Sequence, residues 1–104
     1  MATAIHIEKQ VAEETGRYVA RVEGADGEAE LVFTIHSATL VSADHTEAAA
    51  GLRGTGAASA LVEFMIEDAR ANGFKIRPIC PYVLAQYQKH PEWRDVITTS
   101  PAAS

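Results

Sequence analysis

The stretch Arg53–Ala58 reads RGTGAA and leads directly into the segment SALVEFMIEDAR at residues 59–70. Gly73 follows where a helix would end. Apolar residues recur in this segment at the spacing that places them on one face of a helix. They are Ala58, Leu61, Val62, Met65, Ile66 and Ala69. The spacing predicts a helix over residues 56–72 that packs one apolar face on the rest of the fold.

Small residues before a helix leave backbone N–H groups free at the positive end of the helix dipole. Gly54, Thr55, Gly56, Ala57 and Ala58 would present such groups to an anion, for example a pyrophosphate. A flexible turn before a packing helix is the alternative interpretation. A Walker loop is excluded because Ala57 and Ala58 stand where Lys-Ser/Thr is required. A dinucleotide fold is disfavoured because no acidic residue lies about twenty positions further on.

Alternating apolar residues upstream of the loop predict four short strands. An Asp-Gly pair at residues 26–27 favours a hairpin between the second and the third. The strands centre on Ile5–Ile7, Tyr18–Val22, Leu31–Ile35 and Thr39–Glu47.

Downstream of the helix, Phe74–Cys80 predicts a fifth strand, and Pro81 opens a second helix that runs to about Lys89. Pro78 cannot donate to a strand ladder, so it indicates a sheet edge or a place where pairing has opened. An antiparallel meander followed by a β-α-β crossover predicts a mixed α+β fold with helices packed on the sheet.

The RGTGAA stretch fits the Gln/Arg-x-x-Gly-x-Gly/Ala signature of the GNAT superfamily of acyl-CoA-dependent N-acetyltransferases. Three further motifs complete an ordered set with this stretch. They are HTE at residues 45–47, CPYV at residues 80–83 and HPEW at residues 90–93. Over residues 28–97 the chain resembles a small single-domain, YjdJ-type GNAT-like family. It departs from that family where Ala48-Ala49 replace Val-Pro and where Tyr87 stands one position later than the family's aromatic residue.

The resemblance implies that strands four and five are parallel and splay apart, and that the pantetheine arm of acetyl-CoA enters the gap. Backbone groups around Thr46 and Ala48 would hold the pantetheine and the thioester carbonyl. The pyrophosphate would lie on residues 53–58, with Arg53 adding charge. In the alternative interpretation, Arg53 is a solvated loop charge. Lys89, with Arg94 as a further candidate, would meet the phosphates from the second helix.

Glu47 and His45 stand two positions apart on one predicted strand, so both point to the same face. Transfer of an acyl group to an amine requires the amine to be neutral, and either side chain could take its proton, directly or through water. The alternative interpretations are a solvated strand end for Glu47 and a bond to neighbouring backbone for His45.

Cys80 stands immediately before the second predicted helix, whose N-terminus favours the reactive thiolate form of a cysteine. Three interpretations stay open: a buried apolar filler, a wall of the CoA channel and a nucleophile that holds acetyl transiently. Tyr87 follows close to two helical turns later and so lies on the same face. This spacing equals the Asn-to-Tyr spacing of the superfamily, which implies that Tyr87 protonates the departing thiolate.

The chain has 104 residues, enough for one domain, which we assign to residues 1–97 with a disordered tail over residues 98–104. The net charge of −5 argues against a nucleic-acid partner, which requires a basic surface. It favours a cationic partner such as an amine, although it also serves solubility.

No apolar run approaches the length of a membrane span, and residues 1–6 lack the features of a signal peptide. The single cysteine excludes an internal disulfide and fits a reducing cytoplasm. We expect no metal site, because the candidate ligands lack ligand spacing. Those candidates are His6, His36, His45, His90 and Cys80.

The sequence thus predicts an acetyl-CoA-dependent N-acetyltransferase. A CoA or acyl-CoA binding module with little transferase activity is the alternative, and a protein–protein adaptor without the cofactor is a third hypothesis. The paired N-terminal helices that build the acceptor pocket of longer relatives do not fit before the second strand. An open acceptor side favours a protein or peptide amine, or completion of the site by a second subunit, so monomer and homodimer both stay open.

Overall fold

Five strands form one sheet in the computed structural model, which describes residues 4–99. The strands are β1 Ile5–Ala12, β2 Thr15–Val22, β3 Ala29–Ser37, β4 Leu40–Ala48 and β5 Lys75–Pro78, and the helices are α1 Ala57–Asn72 and α2 Pro81–Lys89. The strands follow chain order across the sheet. β1 to β4 are antiparallel neighbours and β5 is parallel to β4, which confirms the predicted α+β fold class.

A tight turn joins β1 directly to β2, so no helix lies between them. Ala12 pairs with Thr15, and Glu13 in the turn has a φ of 61°, in the left-handed region. The hairpin predicted at the Asp-Gly pair is also present, since β2 and β3 pair antiparallel as far as Ala20 with Ala29.

Glycines bound α1 at both ends. Gly56 is the N-cap, with a φ of 84°, and Gly73 is the C-cap, with a φ of 75°. Ala69 accepts the last backbone bonds, from the N–H groups of Gly73 at 2.8 Å and Phe74 at 3.2 Å. The helix buries the predicted apolar face, except that Ala57 takes the place given to Ala58. The buried residues are Ala57, Leu61, Val62, Met65, Ile66 and Ala69.

Alternating residues divide the sheet into an apolar face and a polar face. The apolar face shares a core with α1 and includes the buried Tyr18, Leu31 and Phe33. On the polar face, ion pairs join neighbouring strands, for example Arg17 with Glu30 at 2.8 Å. Side chains that share the polar face are Arg17, Arg21, Glu30, His45 and Glu47.

β4 and β5 separate part of the way along β4. Their pairing ends where Ala43 meets Pro78, whereas β4 continues to Ala48. Beyond Pro78, the backbone N–H of Cys80 still donates to the Ala43 carbonyl, at 2.8 Å. We call the opening between Thr46 on β4 and Cys80 the strand gap. It matches the splay that the family resemblance implies.

A bulge in β4 lies at the start of this separation. The register of β4 against β3 steps from His45 to Ala43, which leaves Asp44 as the extra residue. The Asp44 carboxylate accepts hydrogen bonds from Thr34 Oγ1 at 2.5 Å and from Ser42 Oγ at 2.7 Å. The bond from Thr34 holds the bulged residue against β3, and the bond from Ser42 holds it within β4.

β5 covers only the middle of the strand predicted over Phe74–Cys80. Its outer edge is partly paired, because Ile76 and Ile97 form a parallel bridge and the Thr98 N–H donates to the Ile76 carbonyl at 2.8 Å. Thr98 belongs to the predicted tail, whose residues 100–104 lie outside the described part of the chain. No helix within residues 4–99 is long and apolar enough to cross a membrane.

Candidate functional site

The strand gap brings together two of the predicted site residues. Thr46 Oγ1 lies 3.3 Å from Cys80 Sγ. Cys80 is the N-cap of α2, is 4% exposed and is the free cysteine of the chain. The thiol therefore forms part of the wall between β4 and α2, with the Thr46 hydroxyl as its polar neighbour.

The glycine loop, residues 53–58, crosses from the end of β4 to α1 with two residues in the left-handed region. Gly54 has a φ of 80° and Gly56 a φ of 84°. A Cβ added to either would meet no atom within 4 Å, so the space in front of both glycines is open. Thr55 fixes the turn from inside, since its hydroxyl donates to the Leu52 carbonyl at 2.5 Å and accepts the Ala57 N–H at 3.3 Å.

Several backbone donors of this loop have no protein acceptor. The first helical bond of α1 runs from the Ala60 N–H to the Gly56 carbonyl, at 2.9 Å. Within residues 4–99, the N–H groups of Gly56, Ala58 and Ser59 donate to no backbone or side-chain acceptor. The first turn also lacks an acidic side chain and a side-chain cap. Such a cluster of donors at a helix N-terminus is chemically suited to a phosphate group.

A cavity of about 280 Å³ lies against these donors. Among its lining residues are six that the sequence assigned to the cofactor: Ala48, Arg53, Gly54, Gly56, Ala57 and Ala58. Three more that the sequence did not single out, Leu52, Ser59 and Tyr82, also line it.

Tyr82 is the clearest omission from the predicted site. It lies in the first turn of α2, beside Cys80, and faces the glycine loop across the cavity. Burial raises the pKa of Tyr82, and the acidic groups of Cys80 and Glu63 act in the same direction. The CPYV motif already contained this tyrosine. Its position directly after the proline at the start of a helix was the signal that could have found it.

The remaining residues predicted for the second helix lie elsewhere. Tyr87 is half-buried against the core, and Lys89 is the exposed last residue of α2. Neither lines the cavity at the glycine loop. Arg94 lines a different cavity, beside Leu40 at the other end of β4. The structure therefore brings together the glycine loop, Ala48 and the first turn of α2. It does not bring Lys89 or Arg94 to this cavity.

Glu47 and His45 lie together on the polar face, as their spacing predicts. His45 Nε2 is 3.3 Å from Glu47 Oε1, and the Glu47 side chain is 68% exposed. Thr46, between them, points to the opposite face, toward Cys80. The candidate base and the thiol thus stand on opposite sides of β4, at the level where β5 no longer covers it.

A wider groove of about 810 Å³ lies on the Glu47 side of the sheet end. Three carboxylates line it, those of Glu28, Glu30 and Glu47, together with Ala48 and Arg53. Ala48 and Arg53 also line the cavity at the glycine loop, so the two spaces meet at these residues. Within residues 4–99, no group of His, Cys, Asp and Glu side chains is arranged to hold a metal ion.

Comparison with known proteins supports the resemblance. The fold is similar to the solution NMR structure of a GCN5-like protein from Staphylococcus aureus, with a TM-score of 0.61 and 22% identity over 92% of each chain. At this identity the likeness shows a shared fold alone. No curated protein matches the sequence. Residues 17–96, most of the chain, match the sequence profile of the family described as GCN5-related N-acetyl-transferase. The predicted family is therefore confirmed, and the chain belongs to the GCN5-related N-acetyltransferases.

Proposed function

We propose that this protein is an acetyl-CoA-dependent N-acetyltransferase that moves an acetyl group to an amine. The observation that carries the proposal is the glycine loop, whose left-handed Gly54 and Gly56 leave free N–H groups facing an open cavity beside the strand gap. Family membership supports the reaction class, and the loop geometry supports the choice of residues 53–58 for the cofactor. The single cysteine and the absence of a membrane-spanning helix in the described part fit a cytoplasmic location.

The residues of the cavity fit the pyrophosphate of CoA. Free N–H groups at the start of α1 would donate to the phosphate oxygens, with the Arg53 guanidinium adding charge. The open space before Gly54 and Gly56 allows phosphates to approach the backbone closely. The pantetheine would extend from this cavity past Ala48 to Thr46 and Cys80 at the strand gap, where the thioester would lie.

The acceptor amine would approach from the polar face. Glu28, Glu30 and Glu47 give the groove a carboxylate lining suited to an ammonium group. Glu47 would take the proton of the ammonium, directly or through water, so that the neutral amine attacks the thioester carbonyl. As the carbon–sulfur bond breaks, the nitrogen would lose its second proton to solvent. We assign the proton that reaches the thiolate to Tyr87, which solvent would then reprotonate. The exposed groove favours a protein or peptide amine over a small molecule, in a monomer or a homodimer.

A CoA-binding module without transferase activity is the second candidate. The observation in its favour is that Glu47 is exposed and already paired with His45, and that Tyr87 does not line the cavity. Direct turnover distinguishes the two functions, whereas binding of CoA supports both.

Ligand stabilisation tests the proposal. Acetyl-CoA at one hundred times its dissociation constant should stabilise the fold by about 2.7 kcal/mol. Gly56→Asp places a carboxylate where the phosphates would lie and should abolish the thermal shift. Gly24→Asp is the matched control, because Gly24 also has a left-handed φ, of 85°, and open space before it, but stands in the β2–β3 turn.

The Gly24→Asp variant should lose intrinsic stability and keep the acetyl-CoA shift. If millimolar acetyl-CoA does not shift the wild type, or if both variants keep the shift, the binding proposal is wrong and the adaptor hypothesis gains support. If acetyl-CoA binds but no lysine-containing peptide is acetylated, the binding-module function is the better description.

A further inference from the structure

A second cavity, of about 500 Å³, lies at the opposite end of the sheet from the glycine loop. Leu40 and Lys75, which line it, are register partners at the starts of β4 and β5. The glycine loop instead follows the other end of β4. This cavity shares no lining residue with the cavity at the glycine loop or with the acidic groove.

The cavity combines an apolar floor with a rim of hydroxyl groups. Leu40 and Ile97, which are 8% and 6% exposed, provide the apolar surface. Ser37 and Thr39 contribute hydroxyls that lie 3.3 Å apart, and Thr98 contributes a third. Such a lining suits a molecule with an apolar body and a polar head.

All charged side chains that line the cavity are cationic, although the whole chain carries a net charge of −5. Lys75 and Arg94 supply the two charges. Asp95, the acid that follows Arg94 in the chain, is held elsewhere: its carboxylate accepts two bonds from Arg70, both at 3.0 Å. Lys75 Nζ bonds only the backbone carbonyl of Asp95. In the described part of the chain, the Arg94 guanidinium has no ion pair and no hydrogen bond, so its five donors are free.

A further cation follows on the same face of β5. Arg77 stands two residues after Lys75, in register with Ser42, just as Lys75 is in register with Leu40. Its Nε is buried and has no hydrogen-bond partner among residues 4–99. Arg77 does not line the cavity, but its guanidinium adds a third positive charge at this side of β5.

We propose that this cavity binds a small organic anion, with a carboxylate or phosphate head and a short apolar body. The head would accept hydrogen bonds from Arg94, whose planar fork matches both kinds of oxyanion, and from Lys75 and the rim hydroxyls. The body would cover Leu40 and Ile97. Because the site lies at the paired end of β4 and β5, its ligand does not compete for space with CoA at the glycine loop.

Chemical-shift mapping on the full chain tests the proposal with three probes. Benzoate and phenyl phosphate carry the two candidate heads, and benzamide is the uncharged counterpart of benzoate. We expect the two anions to shift the backbone amides of Thr39, Ile97 and Thr98 saturably. Benzamide should bind at least about tenfold more weakly, which is the effect of losing one charge-assisted contact. The tighter of the two anions identifies the head group.

Arg94→Gln should weaken anion binding by about tenfold or more, since it keeps a polar side chain but removes the guanidinium and its charge. Arg53→Gln, at the glycine loop, is the matched control and should leave these shifts unchanged. Equal binding of benzoate and benzamide, unchanged binding in Arg94→Gln, or shifts confined to residues 53–58 would each overturn the proposal.

Discussion

The Thr46 hydroxyl lies 3.3 Å from the Cys80 sulfur, across the gap where β4 and β5 separate. One residue comes from an exposed strand end, and the other from the start of α2. The contact lies next to the cavity at the glycine loop. Ala48 and Tyr82, which follow Thr46 and Cys80 by two positions each, both line that cavity. Cys80 is thus well placed to line a thioester channel, and the question becomes whether it also reacts.

We expect direct transfer, with Cys80 as a wall of the channel. A direct route needs one ternary complex, whose parts are the glycine loop and a base on β4. Cys80→Ala should then keep measurable activity and lose about tenfold in kcat/KM, roughly 1.4 kcal/mol of barrier, through looser positioning of the thioester. The measurement is the rate of acetyl transfer to a lysine-containing peptide, with Thr46→Val as a second variant of the same contact.

Mass spectrometry provides the decisive check on the route. A Cys80 peptide that becomes acetylated by acetyl-CoA alone, and loses the acetyl group on addition of amine, would make Cys80 the nucleophile. In that case Cys80→Ala should be inactive while Thr46→Val keeps activity, which the direct route does not predict.

Glu47→Gln should lower kcat by about a hundredfold or more, because it removes a general base. The loss should become smaller at high pH, where the amine is already neutral in solution. Glu23→Gln is the matched control: Glu23 is equally exposed, and its neighbour is also a histidine, His6, at 3.9 Å. Equal pH–rate profiles for wild type and Glu47→Gln would exclude Glu47 as the base.

The sequence was sufficient for the order of the elements and for the glycine loop, because both depend on local patterns. The helical spacing after Gly56 and the Asp-Gly turn each specify a conformation without reference to distant residues. The β1–β2 turn was not located in advance, because Glu13 adopts a left-handed φ, of 61°, that its residue type does not announce.

The bulge at Asp44 and the short β5 depend on contacts between strands. The Asp44 carboxylate is held by Thr34 on the neighbouring strand β3 as well as by Ser42 on β4, and no local pattern encodes the register shift at Asp44. The site, too, was predicted only in part. The loop donors followed from sequence, whereas the position of Tyr82 opposite the loop depends on how α2 packs beside the first turn of α1.

Gly54→Ala should destabilise the fold by about 1–2 kcal/mol, the cost of a left-handed backbone for a residue with a Cβ. Clashes with other parts of the fold contribute nothing, because an added Cβ meets no atom beyond its chain neighbours within 4 Å. Gly54→Asn should cost less, since asparagine tolerates this region. Gly16→Ala is the contrasting variant, because its Cβ would lie 2.5 Å from the Phe33 ring and 2.7 Å from the Gln10 backbone oxygen, so both must shift.

Urea unfolding of the three variants separates the two causes. If Gly54→Asn is as damaging as Gly54→Ala, backbone conformation is not what selects glycine at this position. An unchanged stability of Gly16→Ala would show that the Phe33 ring and the Gln10 backbone give way without cost.

Asp68 connects α1 to the first two strands through a largely buried network. The hydroxyl of Tyr18, a fully buried residue, donates to Asp68 Oδ2 at 2.7 Å. Lys9 Nζ also lies 2.7 Å from Oδ2, and Asn72 Nδ2 donates to Oδ1 at 2.6 Å. Burial opposes the carboxylate, but the bonds from Lys9 and Tyr18 and the Lys9 charge outweigh it, so the pKa of Asp68 lies below its usual value.

A carboxyl group whose pKa is lower in the folded state stabilises the fold above its unfolded pKa, about 3.9, and loses that contribution as the pH falls through the folded pKa. Asp68→Asn should therefore cost about 1–3 kcal/mol of unfolding free energy near neutral pH, the range for a buried hydrogen-bonded charge. The difference from wild type should shrink below about pH 4. Glu67→Gln, at an exposed neighbour on α1, should stay within about 0.5 kcal/mol of wild type. A difference between wild type and Asp68→Asn that is the same at neutral and at acidic pH would show that the network stabilises through packing and not through the Asp68 charge.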